Sequence, residues 1–227
     1  MEFVNTLIKN LPTFGEALLM TLELAAVAIL LALILGIIFG LFTVSGFKIL
    51  EILSAIYIDI IRGTPLLVQT FIIYYGLAQS LKPLGFSWSN IGGPFTAGVV
   101  ALSLNAGAYM AEIIRGGIQS VDKGQMEAAR SLGFHQREAM TLVILPQAVR
   151  NILPALGNEF VTIIKESSIV SVISIADLMF RAKGIIAKTY SSLECLAVVA
   201  IIYFLLTFLG GRLIALMERR MSYGRKK

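Results

Sequence analysis

Long apolar runs are the feature that most restricts what this chain can fold into. A helix needs about 20 mainly apolar residues to cross the hydrocarbon core of a bilayer. Five runs approach or exceed that length, at 17–44, 52–80, 95–114, 152–175 and 193–217. Only 15% of the 227 residues are charged, against about 25% in a soluble domain. The sequence therefore predicts an all-α, polytopic membrane protein, a single domain over residues 1–227 with about five transmembrane helices.

Composition also excludes several classes of function. The chain has one cysteine, Cys195, and one histidine, His135, so it has no internal disulfide framework and no metal site is expected. The net charge of +5 is carried by basic residues that flank the apolar runs, which favours contact with a membrane over nucleic acid. The first run is too long for a signal peptide, so we expect it to remain as a span.

The distribution of basic residues predicts the side of the membrane on which each loop lies. If the N-terminus is outside and the C-terminus is cytoplasmic, twelve basic residues lie inside and five outside, as the positive-inside rule favours. The inside set is Lys48, Arg115, Lys123, Arg130, Arg137, Arg150, Arg212, Arg219, Arg220, Arg225, Lys226 and Lys227. The outside set is Lys9, Lys82, Arg181, Lys183 and Lys188.

Polar residues inside the predicted spans point to a transport path. A charge at the bilayer centre costs roughly 2.5–3.5 kcal/mol, so such residues should face one another or water. Their helical spacing places several on common faces, such as Asn105, Tyr109 and Glu112 in the third span. Gln69, Asn105 and Glu159 are expected at a similar depth. The predicted substrate-binding residues are Gln69, Thr70, Ser103, Asn105, Asn158, Glu159 and Thr162.

Two further patterns lie in the first and second spans. In the stretch RGTP, Pro65 lacks an N–H group and should kink the second span. Asp59, Arg62 and Gln69 follow one helical face of that span. Gly36 and Gly40 form a GxxxG pattern that allows close helix packing, either inside the protomer or at a dimer interface. Four charged residues are expected to form a gate or intramembrane ion pairs, either for gating or only to hold helices together: Asp59, Arg62, Glu112 and Arg115.

A polar stretch at residues 120–146, here called the coupling segment, separates the third and fourth spans. Asp122 is a predicted N-cap and Gly133 a predicted C′ residue, so they bracket a helix of about ten residues. A second short helix should begin at His135 and end at Pro146. This compact projection either enters a groove of a partner protein or lies on the lipid surface as an amphipathic connector. The residues expected to make the partner contact are Glu127, Ala128, Ala129 and Gly133.

The coupling segment also carries a resemblance to a known family. EAARSLG (127–133), followed nine residues later by VILP (143–146), resembles the EAA motif of ABC importer permeases, with Val143 where isoleucine is usual. RGTPLLVQ, SLNAGAYMAEIIRGGIQSVDKG and LPQAVRNILPALGNEF are similar to the membrane subunits of polar amino-acid importers. The resemblance covers roughly residues 12–220 and implies a type I ABC importer permease fold.

The resemblance implies a set of partners and a location. It implies a bacterial inner-membrane permease that pairs with a second permease, two ATPase subunits and an extracytoplasmic binding protein. No P-loop occurs in the chain, so ATP and magnesium are expected on the ATPase, with no cofactor here. All the residues for a path lie in one chain, which favours a homodimer. The Asn158–Glu159 pair resembles the corresponding pair in permeases for basic amino acids. The expected substrate is therefore arginine, lysine or histidine.

Two other functions share some of these features. A channel or secondary carrier that is independent of ATP would also have polar spans, but it would have no use for a docking segment. A membrane-embedded enzyme would need a catalytic group, and Ser167–Ser168 near Lys165 is the nearest approach to one. No oxyanion signature accompanies these serines, so the chain is expected to be a transport subunit and not an enzyme.

Overall fold

The computed structural model describes residues 2–222, which are helical with short connections and contain no strand. The predicted all-α class is confirmed. The helices are α1 (Glu2–Phe42), α2 (Lys48–Arg62), α3 (Leu66–Leu84), α4 (Gly93–Gln119), α5 (Lys123–Ser131), α6 (Gln136–Ile173), α7 (Leu178–Thr189) and α8 (Ser192–Ser222). The basic residues Arg225, Lys226 and Lys227, which entered the orientation argument, lie outside the described residues.

Four of these helices are long and apolar enough to cross a membrane. They are the stretches Ile8–Phe42, Gly93–Gln119, Gln136–Ile173 and Ser192–Met217. The pair α2 and α3 makes a fifth span if the two helices are counted together. The predicted number of about five spans therefore agrees with the structure, although each long helix begins before the apolar run that predicted it.

The centre of the bundle is the contact between α1 and α4, where small residues let the two backbones approach closely. A Cβ added to Gly36 would lie 2.6 Å from the Cβ of Met110, and one added to Gly40 would lie 2.9 Å from Ile114. Ala28 and Ala32 of α1 are also fully buried in this core. The GxxxG pattern therefore packs inside the protomer, which decides between the two alternatives left open by the sequence.

The second apolar run is broken and does not form one helix. α2 and α3 meet at an angle of 104°, and the chain turns through Gly63 and Thr64 into Pro65, whose backbone is extended. The predicted kink at Pro65 is confirmed. The expectation that Asp59, Arg62 and Gln69 share one helical face is wrong, because the bend separates the first two residues from the third.

α6 corrects the prediction for Pro146. The structure has one helical segment over Gln136–Ile173, in which a π-helical turn at Met140–Ile144 leads into the α-helical part Leu145–Glu166. Pro146 lies in the first turn of that part, where a missing N–H is tolerated. Two expectations are therefore wrong: that a short helix ends at Pro146, and that a separate span begins at Ile152.

A second, smaller core joins α7 to the N-terminal parts of α1 and α8. It contains Phe14, Leu178 and Val198, all buried. Asp177 begins α7: its carboxylate accepts a hydrogen bond from the backbone N–H of Phe180 at 2.8 Å. This side chain is fully buried, and burial raises the pKa of Asp177 to about 6. The connection between the last two spans is thereby anchored to the bundle.

Candidate translocation pathway

A buried amide pair, Gln69 and Asn105, joins α3 to α4. The Nδ2 of Asn105 donates to the Oε1 of Gln69 at 3.0 Å. The Nε2 of Gln69 donates to the carbonyl of Ile61 at 2.7 Å and lies 3.0 Å from the carbonyl of Thr64. These carbonyls flank the helix break, where the backbone has lost its normal partners. The pair therefore satisfies the polar groups exposed by the bend between α2 and α3.

Two further predicted site residues lie close to this pair in the sequence and are also buried. The hydroxyl of Thr70 donates to the carbonyl of Leu66 at 2.9 Å, and that of Ser103 donates to the carbonyl of Val99 at 2.5 Å. Both are back-bonds to the preceding turn of the same helix. Thr70 is fully buried and Ser103 nearly so, so neither hydroxyl faces open space in this conformation.

The other three predicted site residues lie on what we call the open face of α6: Asn158, Glu159 and Thr162. Asn158 is exposed, whereas Glu159 and Thr162 are half-buried. Thr162 donates to the carbonyl of Asn158 at 3.1 Å. No hydrogen bond or ion pair joins the side chains of Asn158 and Glu159 to the described part of the chain. The open face thus keeps an unpaired carboxylate and an unpaired amide at membrane depth.

Three of the four predicted gate residues meet near the end of α4 that leads into the coupling segment. The guanidinium of Arg115 makes a two-pronged contact with the carboxylate of Glu112, in which Nε donates to Oε2 at 3.0 Å. Arg62 of α2 lies 3.8 Å from the same carboxylate and 5.4 Å from the ring centroid of Tyr109. Asp59 is exposed and forms no ion pair within residues 2–222.

The first helix of the coupling segment, α5, has the predicted boundaries. The carboxylate of Asp122 accepts from the backbone N–H of Gly124 at 2.7 Å, and Gly133 follows the helix with a φ of +92°, as a C′ glycine does. α6 begins after His135, whose N–H donates to Glu138. Among the residues expected to contact a partner, Glu127 and Ala128 are exposed, whereas Ala129 is buried against its own chain.

A cavity that the sequence analysis did not identify opens between α4 and α6 at the coupling-segment end. Its volume is about 600 Å³, and its polar lining includes Ser120, Arg150 and Asn151. One signal was available in the sequence: Asn151 lies seven residues before Asn158 and so on the same helical face. The contribution of α4 was not apparent, because it consists of an apolar side chain, Ile113, and the glycines Gly116 and Gly117.

Comparison with known proteins identifies the family of this chain. Residues 29–223 match the family described as binding-protein-dependent transport system inner membrane component. The chain belongs to that family. It is therefore a multi-pass inner-membrane permease of an importer that works with an ATPase and a binding protein, and it is not itself an enzyme. Membership of the family decides against a carrier that is independent of ATP.

Individual relatives of this permease match over nearly the whole chain. The arginine transport system permease protein ArtQ of Bacillus subtilis (strain 168) is 44% identical, covering 89% of this chain and 91% of the relative. The nopaline transport system permease protein NocM of Agrobacterium fabrum is 41% identical, covering 95% and 90%. A crystal structure of an amino acid ABC transporter with histidines matches with a TM-score of 0.86 and 47% identity, covering 95% and 97%.

Proposed function

We propose that this permease imports basic amino acids, and that the open face of α6 binds them. The observation that carries the proposal is the carboxylate of Glu159, which is half-buried and has no partner in the described chain. An unpaired charge at membrane depth is costly, and a guanidinium or ammonium group of a substrate would offset that cost. The names of the three matched proteins described above, which refer to arginine, nopaline and histidines, support the same substrate class.

The seven predicted binding residues take two roles in this proposal. Asn158, Glu159 and Thr162 contact the substrate, since they lie on the open face. The remaining four form the wall behind it and keep the broken helix in position: Gln69, Thr70, Ser103 and Asn105. The hydrogen bonds of Gln69, Thr70 and Ser103 to backbone carbonyls, and that of Asn105 to the side chain of Gln69, leave the substrate a rigid, preorganised surface.

The gate in this proposal is the cluster of Arg62, Glu112 and Arg115. Because Arg62 belongs to α2 and the other two residues to α4, movement of the helix break changes the contact at 3.8 Å while the pair within α4 stays intact. Asp59 lies one turn before Arg62 and becomes an alternative partner for it after such a movement. The two arrangements correspond to closed and open states of the path.

The ATPase docks on the coupling segment in this proposal. The N-terminus lies outside and the C-terminus in the cytoplasm, so residues 120–146 face the ATPase. Glu127 and Ala128 present an exposed surface, while Ala129 and Gly133 set its shape by packing and by the turn. Two copies of this chain and two ATPases form the complex, and ATP-driven closure of the ATPases moves the coupling segments and exchanges outward- and inward-open packings.

The substitution Glu159→Gln tests the substrate assignment. We expect uptake of arginine to fall roughly tenfold or more, because a charge-assisted hydrogen bond is worth about 1.5–3 kcal/mol. Uptake is measured with labelled arginine in liposomes containing the permease, its ATPase and the binding protein. Glu23→Gln is the matched control, since Glu23 is an exposed carboxylate on α1. Arginine uptake that is unchanged in Glu159→Gln would refute the assignment.

The substitution Glu127→Lys tests the coupling role. We expect ATP hydrolysis to lose its dependence on substrate, while binding of arginine to the permease is retained, because Glu127 is exposed far along the chain from Glu159. The measurement compares ATPase rates with and without loaded binding protein. Glu194→Lys, which makes the same charge change at the start of α8, is the matched control and should leave hydrolysis dependent on substrate. If Glu127→Lys keeps hydrolysis and uptake coupled, Glu127 has no part in docking.

A further inference from the structure

The cavity between α4 and α6 continues the proposed path toward the coupling segment. Gly116 follows Asn105, Tyr109 and Glu112 on one face of α4, since the spacing of four, three and four residues keeps to one helical stripe. On α6 the same periodicity places Asn151 on the face of Asn158, two turns nearer the coupling segment. Gly116 and Asn151 are thus at the coupling-segment ends of the two helix faces that carry the predicted pathway.

The shape of the cavity depends on two adjacent glycines with different surroundings. A Cβ on Gly117 would lie 2.1 Å from a side-chain carbon of Ile152, so this glycine lets α4 approach α6 closely. A Cβ on Gly116 would meet no atom within 4 Å, so this position borders open space. The close contact at Gly117 therefore holds the two helices together beside the opening at Gly116.

The polar lining of the cavity consists of a hydrogen-bonded pair, Asn151 and Ser120, and an unpaired arginine, Arg150. Asn151 donates from Nδ2 to the hydroxyl of Ser120 at 3.0 Å, and Ser120 donates to the carbonyl of Gly117 at 2.7 Å. Arg150 is exposed and lines the same cavity, and it has no hydrogen bond or ion pair within the described residues. An unpaired cation and two polar side chains line a cavity of about 600 Å³ whose other lining residues are apolar or glycine. This combination favours an anionic ligand of small-molecule size.

We propose that this cavity is a release site, at which Arg150 binds the α-carboxylate of the transported amino acid as it leaves the path. The proposal rests on the proposed function and adds a second position for the substrate. Glu159 attracts the cationic end of the substrate in the membrane, whereas Arg150 attracts the anionic end at the exit. A carboxylate and a guanidinium form charge-assisted, often bidentate hydrogen bonds, and the hydroxyl and amide of Ser120 and Asn151 complete the polar surroundings.

Product inhibition measures occupancy of this site. The complete complex is reconstituted with the ATPase facing the bath and with binding protein and arginine enclosed, and ATP hydrolysis is recorded while arginine is added to the bath. The half-inhibitory concentration of bath arginine should rise about tenfold in Arg150→Gln. Argininamide, which has a carboxamide in place of the carboxylate, should inhibit the native complex about tenfold less well than arginine. Inhibition by argininamide should be equally weak in the native complex and in Arg150→Gln.

Two matched pairs of variants separate the site from general effects. Arg212→Gln removes a positive charge from α8, where Arg212 lies over the ring of Phe208, and should leave inhibition unchanged. Gly116→Leu fills the open space and should raise the half-inhibitory concentration as Arg150→Gln does. Gly211→Leu adds the same side chain to α8 at a position where a Cβ also meets no atom within 4 Å, and should have no effect.

The outcomes distinguish this proposal from the proposed function. If enclosed arginine does not stimulate hydrolysis in the native complex, the substrate assignment fails, and the release site fails with it. If stimulation is normal but bath arginine inhibits native and Arg150→Gln complexes alike, only the release site is wrong. If Arg150→Gln weakens arginine and argininamide equally, and its effect depends on the anionic lipid content, then Arg150 binds a lipid headgroup and the release site is also overturned.

Discussion

Two polar regions at membrane depth differ in how their hydrogen-bonding groups are used. The buried amide pair, Gln69 and Asn105, is shielded from solvent and bonded to backbone carbonyls and to itself. The open face of α6 leaves the side chains of Asn158 and Glu159 without a partner in the described chain. Equally polar residues are thus used differently. The first region satisfies the backbone of a broken helix, whereas the second keeps free hydrogen-bonding groups, which the proposed function assigns to the substrate.

This difference teaches that polarity within a span does not by itself indicate a ligand site. A buried polar group stabilises only when its partners are present, and the break at Pro65 creates such a demand locally. The open face has no comparable demand from its own helix, because α6 is continuous at Asn158. Substitutions in the first region should therefore affect folding, and those in the second should affect transport.

The largest effect is expected for Gln69→Leu. The substitution leaves the carbonyls of Ile61 and Thr64 and the amide of Asn105 without their partner. With about 1–3 kcal/mol for each of these three unsatisfied groups, the free energy of unfolding should fall by roughly 3–9 kcal/mol. Thermal melting of the purified complex in detergent measures the loss. Gln79→Leu, at an exposed position of α3, should melt like the native protein, and equal melting of both variants would remove the distinction between the regions.

A smaller effect is expected at Asp177, a buried carboxyl that is only partly satisfied. One oxygen accepts from Phe180, whereas the other has no hydrogen-bond partner among the described residues. Burial raises the pKa of Asp177 from 3.8 to about 6, so the folded state favours the neutral form. The free energy of unfolding should be highest below pH 4 and should fall by about 3 kcal/mol as the pH rises through 6.

Comparison with Asp177→Asn isolates this contribution. The amide keeps an oxygen for the Phe180 N–H and cannot ionise, so the variant should lose less stability between pH 4 and pH 7 than the native protein. Melting temperatures across that range provide the measurement. Asp122→Asn changes an exposed cap of the same kind and serves as the control. Parallel pH profiles for the native protein and Asp177→Asn would show that ionisation of Asp177 has no influence on stability.

The smallest effect is expected for Asn158→Ala. The residue is exposed and its side chain has no partner in the described chain, so the melting temperature should stay within about a degree of the native value, since such surface changes cost under 0.5 kcal/mol. The KM for arginine should rise roughly five- to tenfold through the loss of about 1 kcal/mol from one hydrogen bond. Kinetics of uptake in liposomes measure this rise. A melting temperature that falls as far as in Gln69→Leu would show that Asn158 is needed for folding, as Gln69 is.

Part of the pathway was predictable because helical periodicity is local. Asp122 and Gly133 mark the ends of α5 as predicted, since cap residues act on the adjacent turn. The predicted common depth of Gln69 and Asn105 agrees with their hydrogen bond. Arg62, Glu112 and Arg115 also meet as ion pairs, because charges in adjoining spans have few other partners available.

The failures have a common cause in longer-range geometry. The stripe from Asp59 to Gln69 assumed a continuous helix, and the direction of α3 after Pro65 depends on packing against α4. Pro146 was read as a helix end, whereas the π turn before it lets α6 continue. Sequence periodicity does not reveal the cavity at Arg150, because α4 lines it with Ile113 and two glycines. A glycine borders a cavity only when the neighbouring helix leaves space there.

The sequence by itself determined the class of this protein: a polytopic helical permease with polar residues in its spans and a polar segment between the third and fourth. Apolar length, charge distribution and the EAARSLG phrase suffice for that, because the bilayer requires long helices and positive-inside loops. Only the tertiary structure decided that Gly36 and Gly40 pack against α4 and that Gln69 faces the broken helix while Glu159 faces open space. Periodicity specifies which residues share a face, but the neighbouring helices determine whether that face is filled.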